Sequence, residues 1–518
     1  MERLQLRLRG LARDLALPTL SGVLYFLSWV GYGVWPLAFF CFLPLLFSLR
    51  DATPKEALGR GAWMGFVTHL GGYPWIIHML QAFAFLPLPI ALAIYLLFCA
   101  AQGFLFGVMA WVLRRATLAT GLRMYALLPL ALCATEWVYP LLFQSYTGVA
   151  LVAVLPLLQL AELGGPMLLS ALQALVNGGL YDSLLESLHG PGAWKRSLAP
   201  TSAVFLALAA AATFGSFALV RQQAREKAAV SRKVGIAQPN VGEVELHQHP
   251  QASVRTLWEQ NAELHARGAE LVVWPEVGFN IQAVNVALKG TGSFVSGKVP
   301  ISLVAGVPRG EPPRKLWNSA VMVSPDGQLG DHYDKIKLLA FGEYIPFGDT
   351  FPILYQWSPM AQPLSRGTTT APLHDGRWLL APSICYEDIL PWQVRETMRD
   401  RGEGRPHLLV NLTNDSWYGT GHEQEQHLML AAVRTVEHRR WLVRATSTGI
   451  SAFVDSMGRV VQRIPIDTRA VAVRAVPMLE GETSYEVAGD WPGYGSAAVL
   501  GLMALQWLGW GRRRARPA

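Results

Sequence analysis

Cys385 is the residue best suited to covalent chemistry in this sequence. It is one of four cysteines, and the other three lie in apolar stretches, at Cys41, Cys99 and Cys133. Cys385 follows the apolar run Trp378–Ile384, which predicts a strand, and precedes a helix predicted to begin near Ile389. Such a turn presents nucleophiles in other enzymes, and a helix N-terminus and a nearby cation both lower the pKa of a thiol. We therefore predict a nucleophilic thiolate; the alternative is a small buried hydrophobic residue.

Two charged residues could assist this nucleophile. Glu276, in Trp274-Pro275-Glu276, follows a predicted strand and can act as the general base that takes the thiol proton. Lys335, in Tyr333-Asp334-Lys335, can stabilise the oxyanion of a tetrahedral intermediate or hold the thiolate. Taken singly, such a glutamate is usually a solvated loop residue, and a lone lysine, including the neighbouring Lys337, is usually a surface charge. The order Glu–Lys–Cys, with each residue at or beyond the end of a strand, is more specific.

The three residues fall in a region of ordinary polar composition, from about Lys233 to Met478, in which β-rich runs alternate with helical periodicity. The predicted strands are Lys233–Gln238, Leu271–Trp274, Ile301–Val307, Ser319–Val323, Trp378–Ile384, His407–Leu412, Trp441–Thr446, Ser451–Val454 and Ala470–Val476. The predicted helices are Pro250–Arg267, Asn280–Leu288, Ile389–Arg401 and Glu423–Glu437. This pattern predicts an α/β domain in which helices cover sheets.

The rest of the chain is much more apolar. Of the 518 residues, 51% are hydrophobic and 16% are charged, against about 25% charged in an average soluble protein. A helix needs about 20 apolar residues to cross a bilayer. The candidate spans are residues 17–33, 34–49, 61–82, 86–113, 124–143, 167–188, 197–220 and 491–511. We predict that Val149–Leu160 is re-entrant or interfacial, and that Asn177 and Asp182 face the bundle interior.

The positions of Lys and Arg set the predicted topology. Residues 1–220 contain 12 of them, in groups that fall in alternate loops, and four arginines lie close to the C-terminus. With a cytoplasmic N-terminus, seven spans place the polar domain on the outer side of the membrane, and an eighth returns the arginine-rich tail to the cytoplasm. The net charge of +7 therefore reflects topology rather than a nucleic-acid-binding face. The alternative is that some apolar stretches are core helices of a soluble protein.

The polar domain resembles the carbon–nitrogen hydrolase (nitrilase) superfamily. Besides Trp274-Pro275-Glu276 and the Lys335 segment, the matching segments are Phe341–Pro346, Ile384–Glu387 and Asn411–Gly419. With the membrane spans before and after it, essentially the whole chain resembles the bacterial apolipoprotein N-acyltransferase family. The segments Gly419–His427 and Ser447–Gly449 and the loop after Asn240 depart from the family pattern.

The resemblance implies a polytopic α-helical membrane bundle of about eight spans with an αββα-sandwich domain. Residues 1–220 would form the first seven spans, residues 221–485 the catalytic domain, and residues 486–518 the last span and cytoplasmic tail. The implied triad is Glu276, Lys335 and Cys385. The predicted supporting residues are Glu343, Glu387 and Tyr386, and the predicted substrate-binding residues are Trp417, Tyr344 and Asn318.

The implied reaction is acyl transfer through a thioester on Cys385. The donor would be a glycerophospholipid, with phosphatidylethanolamine as the first candidate. The acceptor would be the α-amine of the N-terminal S-diacylglyceryl-cysteine of an apolipoprotein. The resemblance implies no metal or organic cofactor and no nucleic acid partner. It implies a bacterial inner-membrane protein whose catalytic domain lies on the periplasmic side.

Other interpretations stay open from the sequence. A membrane-tethered amidase would share the triad, and a transporter or membrane scaffold with a degenerate outer domain is a rival from another class. The aromatic-rich stretch Phe341–Met360 is predicted to be a mobile loop at the bilayer surface that shields the thioester, or else an ordinary packed loop. Gly292–Lys298 resembles a phosphate loop, but Val299 stands where the Ser/Thr after the lysine is needed and a strand is predicted to follow instead of a helix. His422 and His427 lack zinc-protease spacing.

Overall fold

The computed structural model describes residues 2–514 except 83–84, 189–193, 243–249, 277–300, 312–314, 341, 346, 349, 352, 354–363 and 420. The predicted helix Asn280–Leu288 and the Gly292–Lys298 segment lie outside the described residues. The chain divides into two compact units. The first comprises Met1–Pro74, Leu88–Leu219 and Ala488–Ala518, and the second comprises Trp75–Pro87 and Val220–Val487.

The described helices and strands are as follows. The α-helices are α1 (Glu2–Ser28), α2 (Leu43–Leu49), α3 (Pro54–Gly72), α4 (Trp75–Ala82), α5 (Leu88–Thr120), α6 (Met124–Val138), α7 (Leu155–Leu158), α8 (Ala161–Ser187), α9 (Trp194–Ala228), α10 (Pro250–Ala266), α11 (Pro391–Thr397), α12 (Glu423–His438), α13 (Ser484–Ala488) and α14 (Trp491–Arg514). The strands are β1 (Ser231–Gln238), β2 (Leu271–Val273), β3 (Ser302–Glu311), β4 (Lys315–Val323), β5 (Leu329–Asp334), β6 (Leu373–Asp375), β7 (Trp378–Ile384), β8 (Leu408–Thr413), β9 (Trp441–Thr446), β10 (Ser451–Val454), β11 (Val460–Ile464) and β12 (Ala470–Pro477).

The first unit is helical, and two predicted spans in it are not continuous helices. Residues 34–49 form a 3-10 helix at Trp35–Phe39 followed by α2, and a proline is the second residue of each, Pro36 and Pro44. The span predicted at residues 61–82 stops at Gly72, before Pro74, and α4 belongs to the second unit. Among the described residues, two stretches are long and apolar enough to cross a membrane, Leu88–Thr120 and Lys195–Ala228.

Buried polar side chains hold the helical unit together where the backbone is interrupted. Asn177 is fully buried, and its Oδ1 accepts the Phe42 N–H at 2.9 Å, in the break before α2. Asp182 is buried and accepts the Tyr125 N–H at 2.9 Å, at the start of α6. The prediction that these two residues face the bundle interior is therefore confirmed. Val149–Leu160 contributes only the end of a 3-10 helix and the short α7, neither long enough to cross a bilayer.

The second unit contains two six-stranded sheets. Their strand orders are β12-β1-β2-β3-β4-β5 and β11-β10-β9-β8-β7-β6. In each sheet the three central strands are parallel, β1-β2-β3 and β9-β8-β7, and the outer strands are antiparallel. Parallel strands of this kind are buried on both faces, which explains the continuous apolar runs from which the strands were predicted.

The two sheets share one core and are covered by helices on their other faces. Val234 and Val304 of the first sheet pack in one buried cluster with Leu380 and Val410 of the second. Leu257 of α10 packs on the outer face of the first sheet, and helices α11 and α12 pack on the outer face of the second. The domain is therefore an αββα sandwich, as the resemblance implied, with the parallel strand ends of both sheets available to build a site.

Candidate active site

Cys385 directly follows β7, whose bounds are those predicted, but it begins a 3-10 helix, Cys385–Ile389, and the α-helix predicted from Ile389 starts at Pro391 as α11. Its φ angle is 54°, in the left-handed region. For a residue other than glycine that conformation costs about 1–2 kcal/mol, so the surroundings must hold it. The side-chain amide of Asn411, on the adjacent β8, donates a hydrogen bond to the Cys385 carbonyl at 3.0 Å. The thiol thus sits on a strained turn that its neighbours fix.

Glu276 reaches the same site from the end of β2. The Trp274 N–H donates to Val304 O at 2.9 Å, so the chain still lies against β3 two residues before Glu276. Gly306 of β3 makes this close approach possible, since a Cβ atom there would lie 2.2 Å from the Pro275 carbonyl oxygen. Glu276 is buried, with only 6% of its surface exposed. It is therefore held in a desolvated position rather than in a solvated loop.

Lys335 follows β5 and is almost fully buried. Its Nζ donates to Glu276 Oε1 at 3.1 Å and to Glu343 Oε1 at 2.9 Å. Asn318 Nδ2 of β4 donates to the same two carboxylates, at 2.6 Å and 3.1 Å. The structure therefore brings Glu276, Lys335 and Glu343 into one network. It places Asn318, predicted as a substrate-binding residue, inside this network.

The charges of the site depend strongly on burial. Burial disfavours the ammonium of Lys335, but Glu276 and Glu343 outweigh it and raise the Lys335 pKa. Burial raises the pKa of Glu276, although Lys335 acts in the opposite direction. Burial, reinforced by Glu276 and opposed by Lys335, raises the pKa of the Cys385 thiol well above its usual range. The expectation of a lowered thiol pKa is therefore wrong: the resting thiol is neutral, and it needs a base.

Glu387, predicted as a supporting residue, ties the cysteine turn to the lysine segment. It is fully buried and accepts the backbone N–H groups of Ile384 at 2.9 Å, Ile336 at 2.8 Å and Lys337 at 2.9 Å. The Tyr333 hydroxyl donates to it as well, at 2.8 Å. One carboxylate therefore fixes the spacing between Cys385 and Lys335.

Tyr386 and the two lysines have distinct places. The Tyr386 hydroxyl donates to Leu338 O at 3.1 Å, and its ring centroid lies 5.9 Å from Lys335 Nζ. Lys337 Nζ lies 4.6 Å from the ring centroid of Trp392 instead. The structure thus distinguishes the two lysines: Lys335 enters the carboxylate network, and the side chain of Lys337 covers an aromatic ring.

The remaining predicted substrate-binding residues, Trp417 and Tyr344, are both partly buried. Trp417 is partly buried in the 3-10 helix Asp415–Tyr418, and Trp75 of α4 packs edge-to-face on Tyr418, with ring centroids 5.0 Å apart. Tyr344 is partly buried beneath the Arg366 guanidinium, 5.0 Å away. Much of the predicted surface loop at residues 341–360 lies outside the described residues. Within the described part, Phe347 is 77% exposed and Phe351 58% exposed.

Sequence reasoning missed a buried charged cluster behind the cysteine turn. Arg444 of β9 is fully buried; its Nη1 donates to Asp388 at 2.8 Å and its Nη2 to Asp415 at 3.0 Å. His427 lies between the same two aspartates, at 2.9 Å from Asp388 and 3.2 Å from Asp415. The donor atoms of Asp415, Glu423 and His427 lie within 4.8 Å of one another, a spacing that could hold a metal ion. The cation that the structure places against Asp415 and His427 is the Arg444 guanidinium. The sequence feature that could have revealed this charged cluster is the arginine, Arg444, inside the otherwise apolar run Trp441–Thr446.

Two family models match this chain. Residues 21–179 match the apolipoprotein N-acyltransferase N-terminal domain, and residues 233–483 match the carbon–nitrogen hydrolase domain. An apolipoprotein N-acyltransferase from Azotobacter vinelandii is 33% identical, with 96% of this chain and 95% of the relative aligned. One from Geobacter metallireducens is 29% identical over 95% and 96% of the two chains, and one from Pseudomonas aeruginosa is 30% identical over 94% of each. The similarity therefore extends over the helical unit as well as the sandwich.

Proposed function

The chain belongs to the apolipoprotein N-acyltransferase family, and on this premise we propose how its residues perform the reaction. It is an acyltransferase that N-acylates lipoproteins with a fatty acyl chain taken from a lipid donor. A membrane-tethered amidase is not favoured, because the relatives align with the helical unit and not only with the hydrolase domain. The observation that carries the catalytic proposal is the contact of Lys335 Nζ with Glu276, in the site that also holds Cys385.

In the first half-reaction, Glu276 takes the thiol proton as Cys385 attacks the ester carbonyl of a glycerophospholipid, for which we propose phosphatidylethanolamine. Lys335 stabilises the tetrahedral oxyanion. The oxyanion collapses, the C–O bond breaks, and Glu276 returns the proton to the lysophospholipid oxygen. An acyl thioester on Cys385 remains. The raised pKa of Glu276 suits both steps, because a base with a pKa nearer neutrality also returns its proton readily.

In the second half-reaction, the α-amine of the diacylated lipoprotein cysteine attacks the thioester carbonyl. Glu276 accepts the amine proton, the C–S bond breaks, and the thiolate of Cys385 recovers a proton from Glu276. Glu343 holds Lys335 in place, and Asn318 orients both carboxylates. The products are an N-acylated lipoprotein and the regenerated enzyme.

We propose that residues 1–220 and 486–518 span a bacterial inner membrane about eight times and that residues 221–485 lie on the periplasmic side. The apolar stretches, the alternation of basic groups and the buried Asn177 and Asp182 support this topology. Each methylene moved into water costs about 0.8 kcal/mol, so both lipid substrates would enter from the bilayer rather than from solution.

The test combines the purified protein with phosphatidylethanolamine and a synthetic diacylated lipopeptide in detergent micelles. We expect the lipopeptide to gain the mass of one acyl chain, and we expect the Cys385 peptide to carry that mass when the lipopeptide is omitted. Cys385→Ser should abolish both signals. Cys99→Ser, which replaces a buried thiol of α5, should retain them. Undiminished acyl transfer by Cys385→Ser would contradict the proposal, and hydrolysis of small amides without N-acylation would restore the amidase interpretation.

A further inference from the structure

The left-handed turn at Cys385 needs a support that the triad does not supply. Glu276 and Lys335 contact each other, whereas the Cys385 carbonyl is held by Asn411 of β8. We propose that Arg444 is a positioning residue that keeps Cys385 in its reactive conformation through Asn411 and Asp388. This inference rests on the proposed role of Cys385 as the nucleophile.

The first connection runs through the amide of Asn411. Arg444 Nη1 donates to Asn411 Oδ1 at 2.9 Å, and Asn411 Nδ2 donates to Cys385 O at 3.0 Å. A guanidinium only donates, so it selects the amide orientation whose oxygen faces Arg444 and whose amino group faces Cys385. All three residues are buried, with Arg444 and Asn411 fully so. Without Arg444, the amide oxygen would be left without this partner, and the donor to Cys385 would no longer be oriented.

The second connection runs through the 3-10 helix that Cys385 begins. Asp388, three residues after Cys385, accepts Arg444 Nη1 at 2.8 Å and contacts His427 Nε2 at 2.9 Å. The adjacent Glu387 is bound on the other side, by backbone N–H groups of the Lys335 segment. Two consecutive carboxylates therefore attach one turn of helix to two different parts of the domain, Asp388 to Arg444 and His427, and Glu387 to the backbone of Ile336 and Lys337.

The third contact of Arg444 extends the same support to the Trp417 segment. Arg444 Nη2 donates to Asp415 Oδ2 at 3.0 Å, and Asp415 begins the 3-10 helix that carries Trp417. A Cβ atom at Gly449 would lie 2.3 Å from this Asp415 oxygen, so the glycine leaves the carboxylate its place. The buried guanidinium of Arg444, on β9, thus contacts β8 and the two 3-10 helices that carry Cys385 and Trp417. Loss of it would leave buried carboxylates without their cation, which is strongly destabilising.

The experiment separates positioning from general stability by comparing two buried arginines. Arg444→Met removes the proposed support, and Arg434→Met is the control, since Arg434 is 1% exposed and pairs with Glu437 at 2.8 Å. Displacement of a reacting group by about 1 Å costs about 100-fold in rate. We therefore expect Arg444→Met to lower kcat for acyl transfer about 100-fold, with KM within about twofold, and to slow iodoacetamide alkylation of Cys385 in parallel. Arg434→Met should keep kcat and the alkylation rate even where its Tm falls.

A second variant tests the connection without removing the arginine. Asn411→Asp keeps an acceptor for Arg444 but loses the amino group that donates to Cys385 O. We expect it to reproduce the loss of kcat, and we expect the Arg444→Met/Asn411→Asp pair to be no worse than the stronger single variant, since both break one connection. If Arg444→Met does not fold, Arg444→Lys and Asn411→Asp carry the test, and Arg444→Lys should keep a larger part of the wild-type kcat than Asn411→Asp does.

Three outcomes would decide against the positioning role: unchanged kcat and alkylation in Arg444→Met, an equal loss in Arg434→Met at equal Tm, or independent, multiplicative losses in the double variant. Each of these is measured in a wild-type background that forms the Cys385 thioester. A wild-type protein that forms no thioester would instead defeat the proposed nucleophile. The two failures are therefore distinguishable.

Discussion

Replacing Glu343 by glutamine tests the second carboxylate beside Lys335. Among the described residues, the groups that hydrogen-bond to the Glu343 carboxylate are donors: Lys335 Nζ at 2.9 Å and Asn318 Nδ2 at 3.1 Å on Oε1, and the Leu339 N–H at 2.8 Å on Oε2. A glutamine side chain has one oxygen and one amino group, so in either orientation its amino group faces a donor. Glu343→Gln therefore removes a charge and also creates a mismatch.

The size of the effect follows from these contacts. The side chains of Lys335 and Glu343 are only 2% and 14% exposed, so water cannot replace the lost acceptor freely. A hydrogen bond to a charged group contributes about 1.5–3 kcal/mol. If this energy positions Lys335 for the developing oxyanion, its loss raises the barrier by the same amount, and kcat falls about 10-fold to 100-fold.

The pH dependence has a definite sign. Burial is the main cause of the raised Glu276 pKa, and the charge of Glu343 adds to it. Removal of that charge lowers the Glu276 pKa. Because Glu276 must be ionised to accept the thiol proton, the acidic limb of the profile of kcat/KM against pH should move to lower pH in Glu343→Gln. Initial rates of lipopeptide acylation, measured in one detergent across the pH range, give this profile.

Asp331→Asn provides the control, because Asp331 lies on β5, four residues before Lys335, and pairs with His374 at 2.7 Å with 46% of its side chain exposed. We expect this exposed carboxylate to be replaceable with less than about a twofold change in kcat. An acidic limb that stays in place in Glu343→Gln, or a kcat equal to that of the control, would refute the reasoning.

Three further outcomes are expected. Lys335→Met should lower kcat at least about 100-fold, whereas Lys337→Met, whose side chain covers Trp392, should stay within about threefold; similar losses would remove the distinction between them. Gly306→Ala should lower kcat about 100-fold by displacing Pro275 and Glu276, while Gly330→Ala, whose Cβ would meet Met322 at an ordinary 3.5 Å, should leave it unchanged. Burial raises the Glu423 pKa from 4.5 to about 7, so the stability tied to its protonated form is full below pH 4.5 and is lost as the pH rises through about 7. As the pH rises across that range, the Tm of Glu423→Gln should therefore increase relative to the Tm of the wild type. A Tm difference that does not change with pH would contradict this.

The central strands could be predicted from the sequence because their signal is local. β7, β9 and β10 have the predicted bounds, and the other predicted strands differ from the observed ones mainly at their ends. The three missed strands, β5, β6 and β11, are outer strands paired antiparallel to a neighbour. An outer strand such as β5, which reads LGDHYD, is exposed from Gly330 to His332 and buried only at Tyr333 and Asp334, so its strand character depends on its partner rather than on an apolar run of its own.

The residues of the site likewise divide into those that the sequence could predict and those that it could not. Glu276, Lys335 and Cys385 each lie beside a recognisable local pattern, so their types and order were accessible from the sequence. The contact of Asn318 with both carboxylates, and of Arg444 with Asp388, Asn411 and Asp415, joins segments far apart in the chain. No local period encodes such contacts. The direction of the thiol pKa was mispredicted for a related reason: helix and cation were visible in the sequence, whereas complete burial was not.

The burial of Cys385 also protects its thiol from the compartment in which we propose the domain lies. On the proposed periplasmic side, a free thiolate would be exposed to oxidation, which acts on accessible, ionised thiols. Cys385 is 4% exposed, and its raised pKa keeps the thiol protonated at rest. The thiolate then forms only when Glu276 removes the proton, which is productive when an acyl carbonyl lies beside Lys335 to receive the charge. The desolvation that makes the resting nucleophile weak thus protects it, and the carboxylate network restores its reactivity during the chemical step.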